Sequence, residues 1–163
     1  MSRYNHDPTQ VVAALVVLPK DDYEFKVGKG KAFERTAKAG HQSYGVRFPM
    51  TVVGGPQNGK KTMYSLYLHS DGGQQMAKRF QLACAGQTTN EKNEKIWDQN
   101  NAGKDFSYDP ETGEVGEGWK EYEGVGVVCD LDVEMRKDEK DNDFESQVWG
   151  VFRPLEGAVA ASA

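Results

Sequence analysis

From Lys20 to Lys61 the chain carries nine basic residues (Lys20, Lys26, Lys29, Lys31, Arg35, Lys38, Arg47, Lys60 and Lys61) against four acids (Asp21, Asp22, Glu24 and Glu34). Aromatic residues are interleaved with them and follow just after: Tyr23, Phe25, Phe33, Tyr44, Phe48, Tyr64 and Tyr67. Cations spaced along an extended segment neutralise the phosphates of a polyanion, and exposed rings stack on flat heterocycles. Together these are the ingredients of sequence-tolerant binding to single-stranded nucleic acid, each stacked base contributing ~1–3 kcal/mol. From Asp105 to Glu145 the balance reverses, with fifteen acids against four bases. The net charge of −5 is thus an average over a basic first third and an acidic last third, and the distribution bears on partners more than the mean does.

The cations expected to track phosphates are Lys26, Lys29, Lys31, Arg35, Lys38, Arg47, Lys60 and Lys61, with Arg153 added late in the chain. The competing reading is that such lysines merely solubilise the surface. Among the rings, alternation places Tyr67 on one strand face with Met63, Ser65 and His69, opposite Tyr64, Leu66 and Leu68. Tyr67 is therefore the first stacking candidate, Phe33 in its Gly/Lys-rich surroundings the second, and Trp149 beside Gln147 and Arg153 the third. Tyr23, Phe25, Tyr44 and Phe48 lie on more continuously apolar faces and are expected in the core. Trp149 reads equally well as core.

Catalytic chemistry finds no comparable pattern. Gly54 to Lys61 lacks the GxxxxGK[ST] spacing of a phosphate loop and no helix follows, so it reads as a hairpin turn. His6, His41 and His69 stand alone, outside any metal-ligand or acid–base spacing. Asp138 to Asp143 lacks the central glycine and terminal glutamate of a calcium loop. Cys84 and Cys129, far apart, form neither a disulfide framework nor a zinc motif. We expect no catalytic residue, no metal and no cofactor. Two isolated cysteines, and an apolar run from Val11 to Leu18 too short to span a bilayer, lead to the expectation of a cytoplasmic protein without a membrane partner.

The elements that must carry these residues are mostly strands. Asp7-Pro8 predicts a short N-terminal helix ending before Pro19. A first strand runs from Tyr23, bending through Gly28 and Gly30 toward Phe33 and Arg35. Tyr44 to Val52 gives the second, with Pro49 demanding an edge or bulge, and Thr62 to His69 the third, joined to the second as a hairpin. Ser70 to Cys84 reads as an amphipathic helix with Gly86 at its C-terminal cap. Gln87 to Trp119 is treated as a polar insertion, partly disordered up to Lys104 and then a small hairpin around Asp109-Pro110-Glu111-Thr112-Gly113. Val125 to Met135 and Phe144 to Arg153 supply strands four and five. The expected architecture is one mostly β domain over residues 1–155, a five-stranded OB-like Greek-key barrel with the helix between strands three and four, followed by a flexible tail at 156–163; a β-sandwich with a peripheral helix would give the same order of elements.

Leu18-Pro19, Asp22 to Val27, Gly40, Tyr44 to Phe48, Gly54 to Lys61 and Tyr122 to Gly126 together resemble phage-encoded proteins long catalogued as of unknown function, which are similar to OB-fold single-stranded DNA-binding proteins of replication and recombination modules. The resemblance runs from about Leu18 to Pro154 without the 87–119 segment. It implies a non-enzymatic partner of single-stranded DNA in the host cytoplasm, with replication or recombination proteins and a second copy of the chain as further partners. Many such binders end in an acidic recruiting tail; here Gly157 to Ala163 is small and apolar, so recruitment through a tail is not expected. The rival class is a phage structural or host-protein interaction module whose acidic last third contacts a basic partner. Convergence of the basic residues of the first three strands on one groove is what separates the two.

Overall fold

The computed structural model describes residues 15–37, 40–138 and 140–155. Tyr23, Phe25 and Val27 alternate inward along β1 (Asp21–Val27) and are all but fully buried, as period-two patterning requires. The chain then bends through Gly28 and Gly30 into β2 (Lys31–Thr36). A Cβ at Gly28 would stand 2.6 Å from the Pro49 ring, and one at Gly30 2.6 Å from the Phe48 ring, so glycine is what lets the bend press against the next strand.

That strand, β3 (Gln42–Val52), is long enough to hold three partners. Its first half pairs β2, from Thr36↔Gln42 to Lys31↔Arg47, and its last three residues pair β1, from Val27↔Met50 to Phe25↔Val52. Pro49 falls in the gap between β2 and β1, where its carbonyl accepts from the Gly28 amide at 2.8 Å. The missing proline N–H is lost where no ladder needs it. The other edge of β3 pairs β4 (Lys61–Tyr67) through a turn with left-handed Gly54, Gly55 and Gly59.

Ser70 accepts from the Gly73 amide and opens α1 (Asp71–Cys84), which lays Phe80 against Phe48, Tyr64 and Phe152 at ring-centroid distances of 5.1–5.6 Å. α2 (Glu91–Asn100) and α3 (Glu117–Lys120) follow, then β5 (Gly126–Lys137), paired to β1, and β6 (Asp143–Pro154), paired to β5. The described residues thus form a mostly β structure, an open antiparallel sheet in the order β2-β3-β1-β5-β6 with β4 on the second edge of β3.

Three expectations are corrected. The sheet has six strands among the described residues, because the bend through Gly28–Gly30 interrupts the ladder and splits the expected first strand in two, and the sheet does not close on itself. Leu15 to Leu18, assigned to an N-terminal helix, are not helical: Leu15 bridges Lys61 and the Val16 amide donates to the Lys61 carbonyl at 2.9 Å. The rest of that helix, residues 7–14, lies outside the described residues, as do Lys38 and the tail at 156–163. The 87–119 segment is not a polar excursion. Asn90 caps α2 by accepting from Asn93, Trp97 is buried beneath the Lys78 ammonium, and Val115 and Trp119 belong to the main core. Few apolar residues were enough to anchor it, because Trp97, Phe106, Trp119 and Tyr122 pack ring on ring.

Cys129 is fully buried in β5, and burial, reinforced by the Asp130 carboxylate, pushes its thiol up to about 12. Since the thiolate is the reactive form and a free thiol titrates near ~8.5, a thiol reagent at pH 8 should label native Cys129 roughly a thousandfold more slowly than the unfolded chain. Equal rates, followed by mass spectrometry with and without denaturant, would show that β5 is not packed as described.

Candidate nucleic-acid interface

Residues opposite one another across an antiparallel ladder share a sheet face, so the registers define what the outer face of β2, β3 and β4 carries. One row is Phe33–Gly45–Tyr67 and the next is Lys31–Arg47–Ser65; further along, Lys26–Thr51–Lys61 spans β1, β3 and β4. Arg35 sits beyond the first row, opposite Ser43. The inner face of the same strands holds Ala32, Val46, Phe48, Tyr64 and Leu66, all buried.

At the centre of the outer face the rings of Phe33 and Tyr67 meet edge to face at 5.5 Å across Gly45, where no side chain stands between them. The Arg47 guanidinium lies 6.0 Å over the Phe33 ring, at the outer limit of a cation–π contact. Tyr67 is 39% exposed and Tyr64, its neighbour on the other face, 4%. Lys26, Lys29, Lys31, Arg35, Arg47, Lys60 and Lys61 make no ion pair with another described residue, which leaves their charge available to an external anion.

This face is the floor of a groove of about 540 Å³ whose far wall is Pro110 to Gly113. The wall is seated by the Ala32 amide of β2, which donates to the Gly113 carbonyl at 2.9 Å, and shaped by Asp109, which accepts from Glu111 and Gly113. Gly113 is left-handed (φ 79°) and would place a Cβ 2.7 Å from the Lys31 side chain. A second hollow of about 500 Å³ continues past Lys31 and Gly113 to Lys29 and Lys120. Carboxylates also line the two hollows, Glu34 and Glu111 in the first and Glu114 in the second.

Of the residues named from the sequence, Lys31, Phe33, Arg35, Arg47 and Tyr67 come together in one groove and Lys29 adjoins it. Lys26 and Lys61 share the face but sit toward its other end, and Lys60 lies exposed in the turn before β4. Two residues are elsewhere. Trp149 is partly buried and packs among Phe25, Tyr64 and Phe152 at 4.8–5.7 Å, against the main core and away from the groove. Arg153, on β6 beyond β1 and β5, is paired with the Asp22 carboxylate, which raises its affinity for the proton and neutralises its charge locally. The Pro110–Gly113 wall was missed because a turn motif announces a loop but not the strand edge on which it docks. Tyr44, expected in the core, is 36% exposed.

Among the described residues no group of three or more His, Cys, Asp or Glu is arranged to hold a metal ion, and no helix is long and apolar enough to cross a membrane. No protein-family model matches the chain, and neither does any curated protein sequence.

Proposed function

We propose that the chain binds single-stranded DNA with little sequence preference along the outer face of β2, β3 and β4, acting without catalysis in phage-type replication or recombination in the host cytoplasm. The observation that carries the reading is the convergence of Lys31, Arg35 and Arg47 with Phe33 and Tyr67 in one groove, cations and rings on a shared floor. The fold reading that goes with it is OB-like: β1 and β2 are the two halves of one bent strand, β3 pairs both, β1 pairs β5, and α1 packs between β4 and β6 where a closing ladder would otherwise run. In such barrels the second and third strands form the oligonucleotide face, and here those are β3 and β4. A second reading draws on the distal β5–β6 ribbon, where Met135 and Phe144 stand exposed among acids. That surface suits a basic protein partner.

Fluorescence anisotropy with labelled oligo-dT and its duplex counterpart separates the two. The single strand should bind, with affinity falling linearly on a log–log plot against salt at a slope of ~0.7 per phosphate contacted. Arg47→Ala should reduce that slope by about one such increment. Absence of binding to oligo-dT, or binding indifferent to salt, would leave the ribbon as the better reading.

A further inference from the structure

We propose that the bound strand does not end at Tyr67 but turns over His69 onto a second base-stacking subsite formed by Tyr44 and Tyr108. The inference rests on the reading of the β2–β3–β4 face as a single-strand groove and extends its path around the end of β3.

Tyr44 shares its strand face with Val46 and Phe48, both fully buried, yet more than a third of its own surface is open because the core ends before the first residues of β3 are reached. Its ring lies parallel to that of Tyr108, tilted by 28° at 6.4 Å, and 5.6 Å from the His69 imidazole. His69 in turn stands edge-on to Tyr67 at 6.0 Å. Phe33, Tyr67, His69, Tyr44 and Tyr108 therefore form an unbroken file, neighbours 5.5–6.4 Å apart, that leaves the groove floor and passes around the strand end. A file of rings suits splayed bases of any identity, since every base has a π-face. Arg35 lies on the groove floor at the row nearest this turn, where a backbone phosphate leaving Tyr67 would pass. Tyr108 stays a neutral phenol well beyond physiological pH, burial and then the neighbouring Tyr44 raising its proton affinity, so the ring itself adds no charge against the phosphates; the nearest carboxylate across the ladder is Glu34, opposite Tyr44. The loop that walls the groove with Pro110 to Gly113 thus also contributes a ring at its base.

The test is anisotropy with an oligo-dT ladder of about 4 to 16 nucleotides, the span of known OB-type site sizes. Tyr108→Ala and, separately, Tyr44→Ala should bind the shortest oligonucleotides as the wild type does and the longest about 5- to 150-fold more weakly, the equivalent of one lost stack. Tyr108→Phe, which keeps the ring, should bind every length normally. Equal loss at all lengths would make these rings a structural wall, and no loss at any length would remove them from the path; either result overturns the subsite. If Tyr108→Ala unfolds, as melting by circular dichroism would reveal, Tyr44→Ala and Tyr108→Phe still decide. Failure of the wild-type protein to bind oligo-dT of any length would refute the single-strand reading itself, and the subsite with it.

Discussion

Replacing Phe33 and Tyr67 together by alanine should weaken oligo-dT binding by about 2–6 kcal/mol, two stacked bases being lost at once, while leaving the salt slope where it was. The two rings are edge to face across Gly45, so each also holds the other in place. Either single substitution should therefore cost more than half of the double, and a double-mutant cycle should return a coupling energy of ~0.5–1.5 kcal/mol, as contacting aromatic pairs do. Because both rings lie on the outer face and the core beneath them is closed by Val46, Tyr64 and Leu66, global stability should change by no more than about 1 kcal/mol. Arg47 touches Phe33 but carries charge, so its removal should register mainly in the slope. A ring variant that flattened the salt dependence would mean that the rings order the cations and do not themselves meet bases.

What the sequence revealed and what it hid divide along one line. Period-two alternation is local, so it correctly separated Tyr67 from Tyr64 and located the bend at Gly28–Gly30 and the irregularity at Pro49. Charge counting is local too, and of the cations of the first third Lys31, Arg35 and Arg47 share one groove because β2, β3 and β4 are paired as neighbours, while Lys20 pairs Asp132 and Lys26, Lys60 and Lys61 lie away from it. Trp149 and Arg153 went astray because their surroundings come from far away in the chain: Phe25 and Tyr64 for the ring, Asp22 for the guanidinium. Nothing in the composition around residue 149 states which strand will lie opposite.

The same limit explains the 87–119 segment. Its polarity is real, and α2 is exposed over most of its length. A helix and a hairpin can nonetheless be fixed by a few rings whose partners lie elsewhere, and Trp119 is held by donating its indole N–H to the Phe106 carbonyl at 2.8 Å. The amide of Ala32, on the edge of β2, takes its acceptor from this segment, a demand that every unpaired buried amide makes but that no sequence window displays. That hydrogen bond ties the groove wall to β2, while the Tyr108–Val115 bridge and buried Val115 hold the hairpin behind it.

Gly45 should prove the least replaceable residue of the face. A Cβ there would lie 1.8 Å from the Leu66 carbonyl oxygen, a backbone atom that cannot swing aside as a flexible side chain could, so alanine must push β4 away from β3. The Leu68 amide, which donates to the Tyr44 carbonyl at 2.9 Å, is the next bond along that seam. We expect Gly45→Ala to cost about 3 kcal/mol, the upper part of the range for overpacked sites, and to lower the melting midpoint by roughly 6–12 °C for a chain of this size. Binding should fall further than the loss of folded protein explains, since parting the strands also parts Phe33 from Tyr67. Gly72 provides the contrast. It lies in the first turn of α1 with open space where a Cβ would stand, so Gly72→Ala should be neutral or stabilising by ~0.4–1 kcal/mol through the unfolded chain. Urea titrations of both variants decide the matter: if Gly45→Ala unfolds at the wild-type midpoint and binds oligo-dT as tightly, the close approach of β4 to β3 is not what holds the two rings together.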